Sequence, residues 1–392
     1  MLFYNANIMT MEGKGLGRIP RGWMRTEGNG IRAVGPMEAL ERIPGEEERD
    51  LRGALVLPGF LDAHSHMGIC EDSLGFEGND DNEDTDPVTP HLRAIDGINP
   101  MERSFSEALA AGVTAAVVCP GSANPIGGQI CAMKTAGKRV DAMCLGESIG
   151  IKFALGENPK MSYNPKAQTP VTRMATAALI REMLKKAAEY AARMRDAEED
   201  EDCDEPDYDA KCEALLPLLR GEAKAYFHCH RADDIFTAIR IAREFSLDYV
   251  LVHCTEGHLI AQELLEEGAK VITGPLFGAR VKPELTHFTA QNPGLLAKAG
   301  VTAAICTDHP EVAQKHLALS AGLAAAEGME YGQALRAITI VPARICGLEE
   351  RIGSLRAGKD ADFLVYRSDP LALGAKPEEV WVEGRLQSRN TL

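Results

Sequence analysis

The sequence predicts an α/β protein in which repeated strand–helix units form a parallel sheet that closes into a TIM-like barrel. Three observations lead there. Short apolar runs alternate with helical patterns through the second half of the 392-residue chain, and most of those runs end in a histidine, an aspartate or a Gly-Pro turn. The chain is long enough for a barrel with additions, and no stretch approaches the roughly eighteen uninterrupted apolar residues of a membrane span.

From the N-terminus, residues 1–55 read as short strands and turns. Leu2 to Met9 and Gly30 to Val34 are strand-like, Gly13 to Gly17 breaks the chain between them, and helical spacing is confined to Met37 to Arg42. This segment is too small to be stable alone. Its partner lies at the other end of the chain, where Phe363 to Tyr366 and Glu379 to Val382 read as two further strands with turns between them.

Ala54 to Leu57 is an apolar run that meets a Pro-Gly break and resumes extended as Pro-Gly-Phe-Leu-Asp-Ala-His-Ser-His-Met-Gly, Pro58 to Gly68. Side chains alternate faces along a strand, so His64 and His66 point the same way and can converge on one divalent metal. An isolated His-x-His more often just faces solvent, so the pair needs its context.

Gly112 to Val118 is a buried-type strand leading into Pro120 to Gly128, a tight loop that either cradles a substrate group with its backbone N–H donors or is a plain strand-to-helix turn. Ile149 to Leu155 is another strand, with Lys152 inside it and Gly156-Glu157-Asn158-Pro159 at its end. A helical insert follows at about 165–222: Thr169-Pro170 reads as a helix start, and Leu179, Met183, Ala187, Tyr190 and Met194 recur at helical spacing. The ten acidic residues between Asp196 and Asp209 read as a solvated, mobile linker rather than a cation-binding tail.

Alternation then becomes regular. Ala225 to Phe227 leads to His228-Cys229-His230, and Ile235, Ala238, Ile239, Ala242 and Phe245 share one face of the helix that follows. Tyr249 to Val252 ends at His253, Lys270 to Thr273 at Gly274-Pro275, and Val301 to Cys306 at Thr307-Asp308-His309-Pro310. One histidine at a strand end can be a packed core residue. Histidines and an aspartate ending successive strands, where a TIM-type barrel carries its chemistry, form a set.

Composition narrows the partners. A net charge of −16 argues against binding nucleic acid or an acidic membrane surface, which both call for a basic face. Met1 to Thr10 has neither the basic residue nor the long apolar core of an export signal, and the ten scattered cysteines include no Cys-x-x-Cys pair. A cytoplasmic protein with reduced thiols is the expectation.

Pro-Gly-Phe-x-Asp-x-His-x-His closing a first barrel strand resembles the amidohydrolase superfamily of metal-dependent hydrolases, in its imidazolonepropionase-like branch. Residue by residue, the resemblance makes His64 and His66 the first-strand metal ligands. It makes His253, in Val-His-Cys-Thr-Glu-Gly, the sixth-strand ligand, and Asp308 the eighth-strand aspartate that touches the metal and shuttles the proton. His228 and His230 both suit the fifth strand. His228 is preferred because relatives tend to place the first buried helix position, here Ile235, seven residues after the ligand; His230 then faces the cavity as a substrate-binding or supporting group. On the fourth strand many relatives use a lysine carboxylated by carbon dioxide to bridge two metals. Here Glu157, already a carboxylate and at the strand end, is favoured as the ligand, with Lys152 as the alternative bridge. Arg231, Arg280 and Lys282 lie just beyond strand ends and are candidates either for binding a substrate carboxylate or for a solvated surface.

The same resemblance implies a (β/α)8 barrel at 56–348, inserted into a small β-sandwich built from residues 1–55 and 349–392. Gly-Ser-Leu-Arg-Ala-Gly-Lys-Asp-Ala-Asp, Gly353 to Asp362, is similar to the signature of that second domain. The implied cofactor is one or two divalent ions, zinc first, and the implied partner is a small-molecule substrate, with assembly into a homo-oligomer left open. The implied reaction is hydrolysis of a non-peptide or dipeptide C–N bond, such as a cyclic amide or an N-acyl amino acid, by hydroxide generated at the metal, with Asp308 as acid–base group. A heterocycle aminohydrolase would share fold and metal. Those relatives usually carry a glutamate shortly after the fifth-strand histidine, where this chain has Cys229-His230-Arg231.

Overall fold

The computed structural model describes residues 1–389, so the last three positions of the expected 349–392 segment lie outside the described residues. The N-terminal region forms β1 (Leu2–Met9), β2 (Arg18–Glu27), β3 (Gly30–Pro36), β4 (Glu48–Asp50) and β5 (Leu55–Pro58). Eight strands follow: β6 (Phe60–Ser65), β7 (Val113–Val118), β8 (Ile126–Lys134), β9 (Cys144–Ala154), β10 (Lys224–Cys229), β11 (Tyr249–His253), β12 (Lys270–Thr273) and β13 (Thr302–Ile305). The C-terminal region adds β14 (Phe363–Tyr366), β15 (Glu379–Val382) and β16 (Arg385–Arg389).

Strands β6 to β13 pair in sequence order into one eight-stranded, nearly closed sheet. Its two ends meet through the backbone: Asp308 N–H donates to the His64 carbonyl at 3.2 Å and His66 N–H to the His309 carbonyl at 2.8 Å. Every residue of β6 and β7 is buried, as expected of barrel strands packed on both faces. The expectation of a uniformly parallel (β/α)8 sheet needs one correction. β8 runs antiparallel to both β7 and β9, while the remaining neighbours are parallel. Only residues 119–125 separate β7 from β8. A parallel return needs a crossover of a dozen or more residues, so this connection can make only a hairpin. Pro120 to Pro125 is accordingly a strand-to-strand loop, with Ile126 to Gly128 already in β8, and not a strand-to-helix turn.

The terminal strands form a second sheet in the order β16-β15-β14-β5-β1-β2-β3, with β4 paired to β1. The N-terminal contribution runs past residue 55, because all of β5 pairs with β14, from Leu55 opposite Tyr366 to Pro58 opposite Phe363. Phe3, Phe363 and Trp381 fill its core, with ring centroids 4.9 to 5.5 Å apart. Buried Lys134 at the end of β8 crosses to this sheet, its Nζ 2.7 Å from Asp360 and 2.9 Å from Asp362.

The helical insert consists mainly of Arg173–Glu199 and Ala210–Leu219. The first helix starts after Thr172, whose hydroxyl accepts from Ala175 N–H at 3.0 Å, rather than at Thr169-Pro170. It also continues through the first acidic residues to Glu199, which shortens the linker to 200–209. Ile180, Leu184 and Ala187 pack with Leu215 and the barrel helix residues Ile235 and Ala238. No helix among the described residues is long and apolar enough to cross a membrane.

Candidate metal centre and active site

Five histidines, one aspartate and one lysine from different strand ends converge inside the barrel. His64, near the end of β6, is fully buried, and His66 follows just beyond the strand; their Nε2 atoms lie 3.1 and 3.3 Å from Oδ1 of Asp308. His66 donates from Nδ1 to the Cys119 carbonyl at 2.7 Å, and His253 from Nδ1 to the Gly274 carbonyl at 2.7 Å. Such bonds fix the tautomer and leave the Nε2 lone pair free for a cation. His228 pairs through Nδ1 with Ser122 Oγ at 2.9 Å, while its buried Nε2 has no hydrogen-bond partner. His230 pairs through Nδ1 with Thr255 Oγ1 at 2.7 Å.

Among the described residues, two groups have ligand atoms within 4.8 Å of one another: His64, His253 and Asp308, and His228, His230 and His253. His253 belongs to both. The donor set fits one or two divalent ions, since neutral imidazole and carboxylate are what such an ion binds. Burial keeps the imidazoles neutral. It takes His64 and His228 well below the usual histidine value and lowers His230 and His253 to about 3. At Asp308 burial alone would raise the pKa, but the imidazoles of His253, His64 and His66 outweigh it and hold the carboxyl well below its ordinary value.

Backbone strain accompanies this convergence. His253, Cys254 and Asp308 have φ of 69°, 45° and 55°, a left-handed conformation that costs of order 1–3 kcal/mol per non-glycine residue. Asp62 is one device that holds it. Buried in mid-β6, it accepts from Thr307 Oγ1 at 2.6 Å, from Thr307 N–H and from His64 N–H, clamping the segment that carries Asp308 to the first strand. Burial pushes its own carboxyl up to about 7. Its position two residues before His64 in an apolar strand is the sequence signal for this role.

Of the two fourth-strand candidates, the structure brings Lys152 and not Glu157 to the histidines. Glu157 belongs to neither ligand group and does not line the cavity. After β9 the chain turns through Gly156 at φ 84°, and Glu157 opens the helix Glu157–Tyr163 with its N–H bonded to Glu284 at 3.0 Å. Lys152 is fully buried in β9, its Nζ is 3.4 Å from Nε2 of His64, and burial lowers its pKa.

A cavity of about 580 Å³ opens over these groups, lined by His66, His228, His230, His253 and Asp308 among others. Of the four candidate substrate-binding residues, His230 and Lys282 line it. Arg231 and Arg280 do not. Arg231 pairs with its neighbour Asp233 at 2.9 Å and Arg280 donates to the Phe288 carbonyl at 2.9 Å, both at the surface. Lys282 is tied to Asn158 at 2.9 Å and to buried Glu284 at 2.7 Å, a carboxylate the sequence did not single out because it lies on a loop outside the strand–helix pattern.

A family model described as "Amidohydrolase family" matches residues 186–386. The crystal structure of an amidohydrolase from Thermotoga maritima MSB8 is 38% identical, with a TM-score of 0.94, covering 99% of this chain and 100% of that one. The chain belongs to the amidohydrolase family. It is accordingly a hydrolase acting on carbon–nitrogen bonds. Among curated amidohydrolases it is 31% identical over 366 residues to amidohydrolase tasK of Hapsidospora irregularis, a match covering 86% of this chain but only 37% of the length of that relative. It is 26% identical over 429 residues to imidazolonepropionase of Erwinia tasmaniensis, covering 99% of this chain and 96% of that protein.

Proposed function

We propose that the protein is a metal-dependent amidohydrolase that cleaves a non-peptide or dipeptide C–N bond in a small molecule, such as a cyclic amide or an N-acyl amino acid. His64, His66, His228, His253 and Asp308 would hold one or two divalent ions, zinc first, with Lys152 as a further ligand from the fourth strand. The same proposal takes a barrel that begins at β6, after β5 has joined the terminal sheet, and runs to about residue 348, set into a β-sandwich of the two terminal segments. The observation that carries the functional reading is Asp308, whose one carboxylate oxygen sits within 3.3 Å of both first-strand histidines at the floor of an open cavity.

Once bound by such a set, a divalent ion would supply water of near-neutral pKa and Lewis-acid polarisation of a carbonyl oxygen. Asp308, a carboxylate held below its ordinary value, takes the proton of the attacking water and delivers it to the leaving nitrogen. His230, braced by Thr255, offers its Nε2 to the substrate. Burial lowers the pKa of Lys152, which favours the neutral amine that reaction with carbon dioxide requires. The carboxylated side chain is an anion long enough to serve from deeper in the barrel.

The experiment is a screen of the purified protein, with its metal content measured, against cyclic amides, N-acyl amino acids, dipeptides and aminated heterocycles. Hydrolysis within the first three classes supports the reading. Turnover of aminated heterocycles alone would replace it with the aminohydrolase alternative.

A further inference from the structure

The cavity over the histidines and Asp308 is lined in part by apolar side chains: Met161 from the helix Glu157–Tyr163, and Phe277, Val281, Leu285 and Phe288 from the segment between β12 and the helix Asn292–Ala299. Asp81 and Glu311 also line it. Val281 is 81% exposed and Met161 61%, and the other three are only half-buried. None of the five joins a hydrophobic core among the described residues. Scattered exposed apolar side chains need no explanation, but a contiguous set lining a cleft marks a ligand surface. Here the surface is continuous with His230, His253 and Asp308. Lys282, the cation beside it, has its ammonium drawn off to Glu284 and Asn158.

We propose that this wall holds an apolar substituent of the substrate beside the scissile C–N bond, so that the enzyme selects amides bearing a bulky hydrophobic acyl or side-chain group over small or charged ones. The inference rests on the proposed C–N hydrolysis and sharpens its substrate class. Small polar cyclic amides would leave the wall uncovered.

The test titrates straight-chain hydroxamates, carboxamide analogues running from acetyl to octanoyl, into the metal-containing protein by calorimetry, beside hydrolysis assays on amides of the same acyl lengths. Affinity should rise by roughly threefold to fourfold per buried methylene while the chain still fits the cavity. The slope should flatten in Val281→Asp and in Met161→Gln, both exposed positions where the fold tolerates the change; unaltered thermal melting checks this. Equal affinity along the series, or a slope that survives both substitutions, overturns the inference. Length-dependent binding without hydrolysis of any amide would keep this wall and remove the C–N hydrolase reading. Hydrolysis with a flat series would do the reverse.

Discussion

The side-chain nitrogen of Lys152 lies 3.4 Å from Nε2 of His64 inside the barrel, and neither residue has contact with solvent. A lysine so placed, with no carboxylate in ion-pair range among the described residues, is costly unless it is neutral or modified. Lys152→Ala should therefore lose metal and activity together. Glu157→Gln should keep both, and bicarbonate added during metal reconstitution should raise the activity recovered. Metal content of the two variants checks this; retention by Lys152→Ala with loss by Glu157→Gln would restore the earlier assignment.

Asp62 is expected to act through Thr307. Asp62→Ala removes the acceptor for two buried donors of Thr307, and leaving buried donors unpaired costs about 1–3 kcal/mol. Denaturant unfolding should show that loss, with turnover falling because Asp308 is no longer clamped. A variant as stable and as active as the native protein would show that the barrel closure holds Asp308 unaided.

Stability in acid should depend on the buried imidazoles. In metal-stripped protein, burial keeps His230 and His253 near 3, whereas a histidine in the unfolded chain titrates at about 6.5. Between those values the unfolded chain binds protons that the folded one refuses. These groups therefore leave stability intact above about pH 6.5 and erode it as pH falls towards about 3. Melting temperature followed across that window should decline steadily, and a flat profile would mean that the cluster already takes up protons when folded.

Lys134 joins the barrel to the terminal sheet. Lys134→Met leaves Asp362 buried without its cation, a loss of about 3–5 kcal/mol by analogy with broken buried pairs. Lys134→Met combined with Asp362→Leu should recover much of it. Chemical denaturation of both variants decides the matter; a single variant as stable as the native protein would show that the contact contributes little.

Much of this site is legible from residue order alone because strand ends are. His64, His66, His228, His253 and Asp308 each close an apolar run, and barrel geometry brings such positions together whatever lies between them. Glu157 failed the same logic: it follows a strand, but the left-handed turn at Gly156 carries it out of the cavity, and no spacing rule reports a turn's direction. Lys152 lay inside the strand, where inward and outward residues alternate and only pairing fixes the register. Arg231 and Arg280 were plausible by position yet are satisfied by Asp233 and the Phe288 carbonyl, partners close by in sequence. The reversed β8 could have been read from the short connection after β7, because chain length excludes a crossover there.

Among the described residues, His253 is the one histidine shared by both potential ligand groups. The decisive measurement is hydrolysis in protein stripped of metal and then titrated with Zn²⁺, run beside His253→Ala. Activity should vanish on stripping and return with the metal, saturating at one or two ions per chain, while His253→Ala should neither retain the ion nor recover. Full activity in metal-free protein, or in His253→Ala, would contradict metal-dependent hydrolysis.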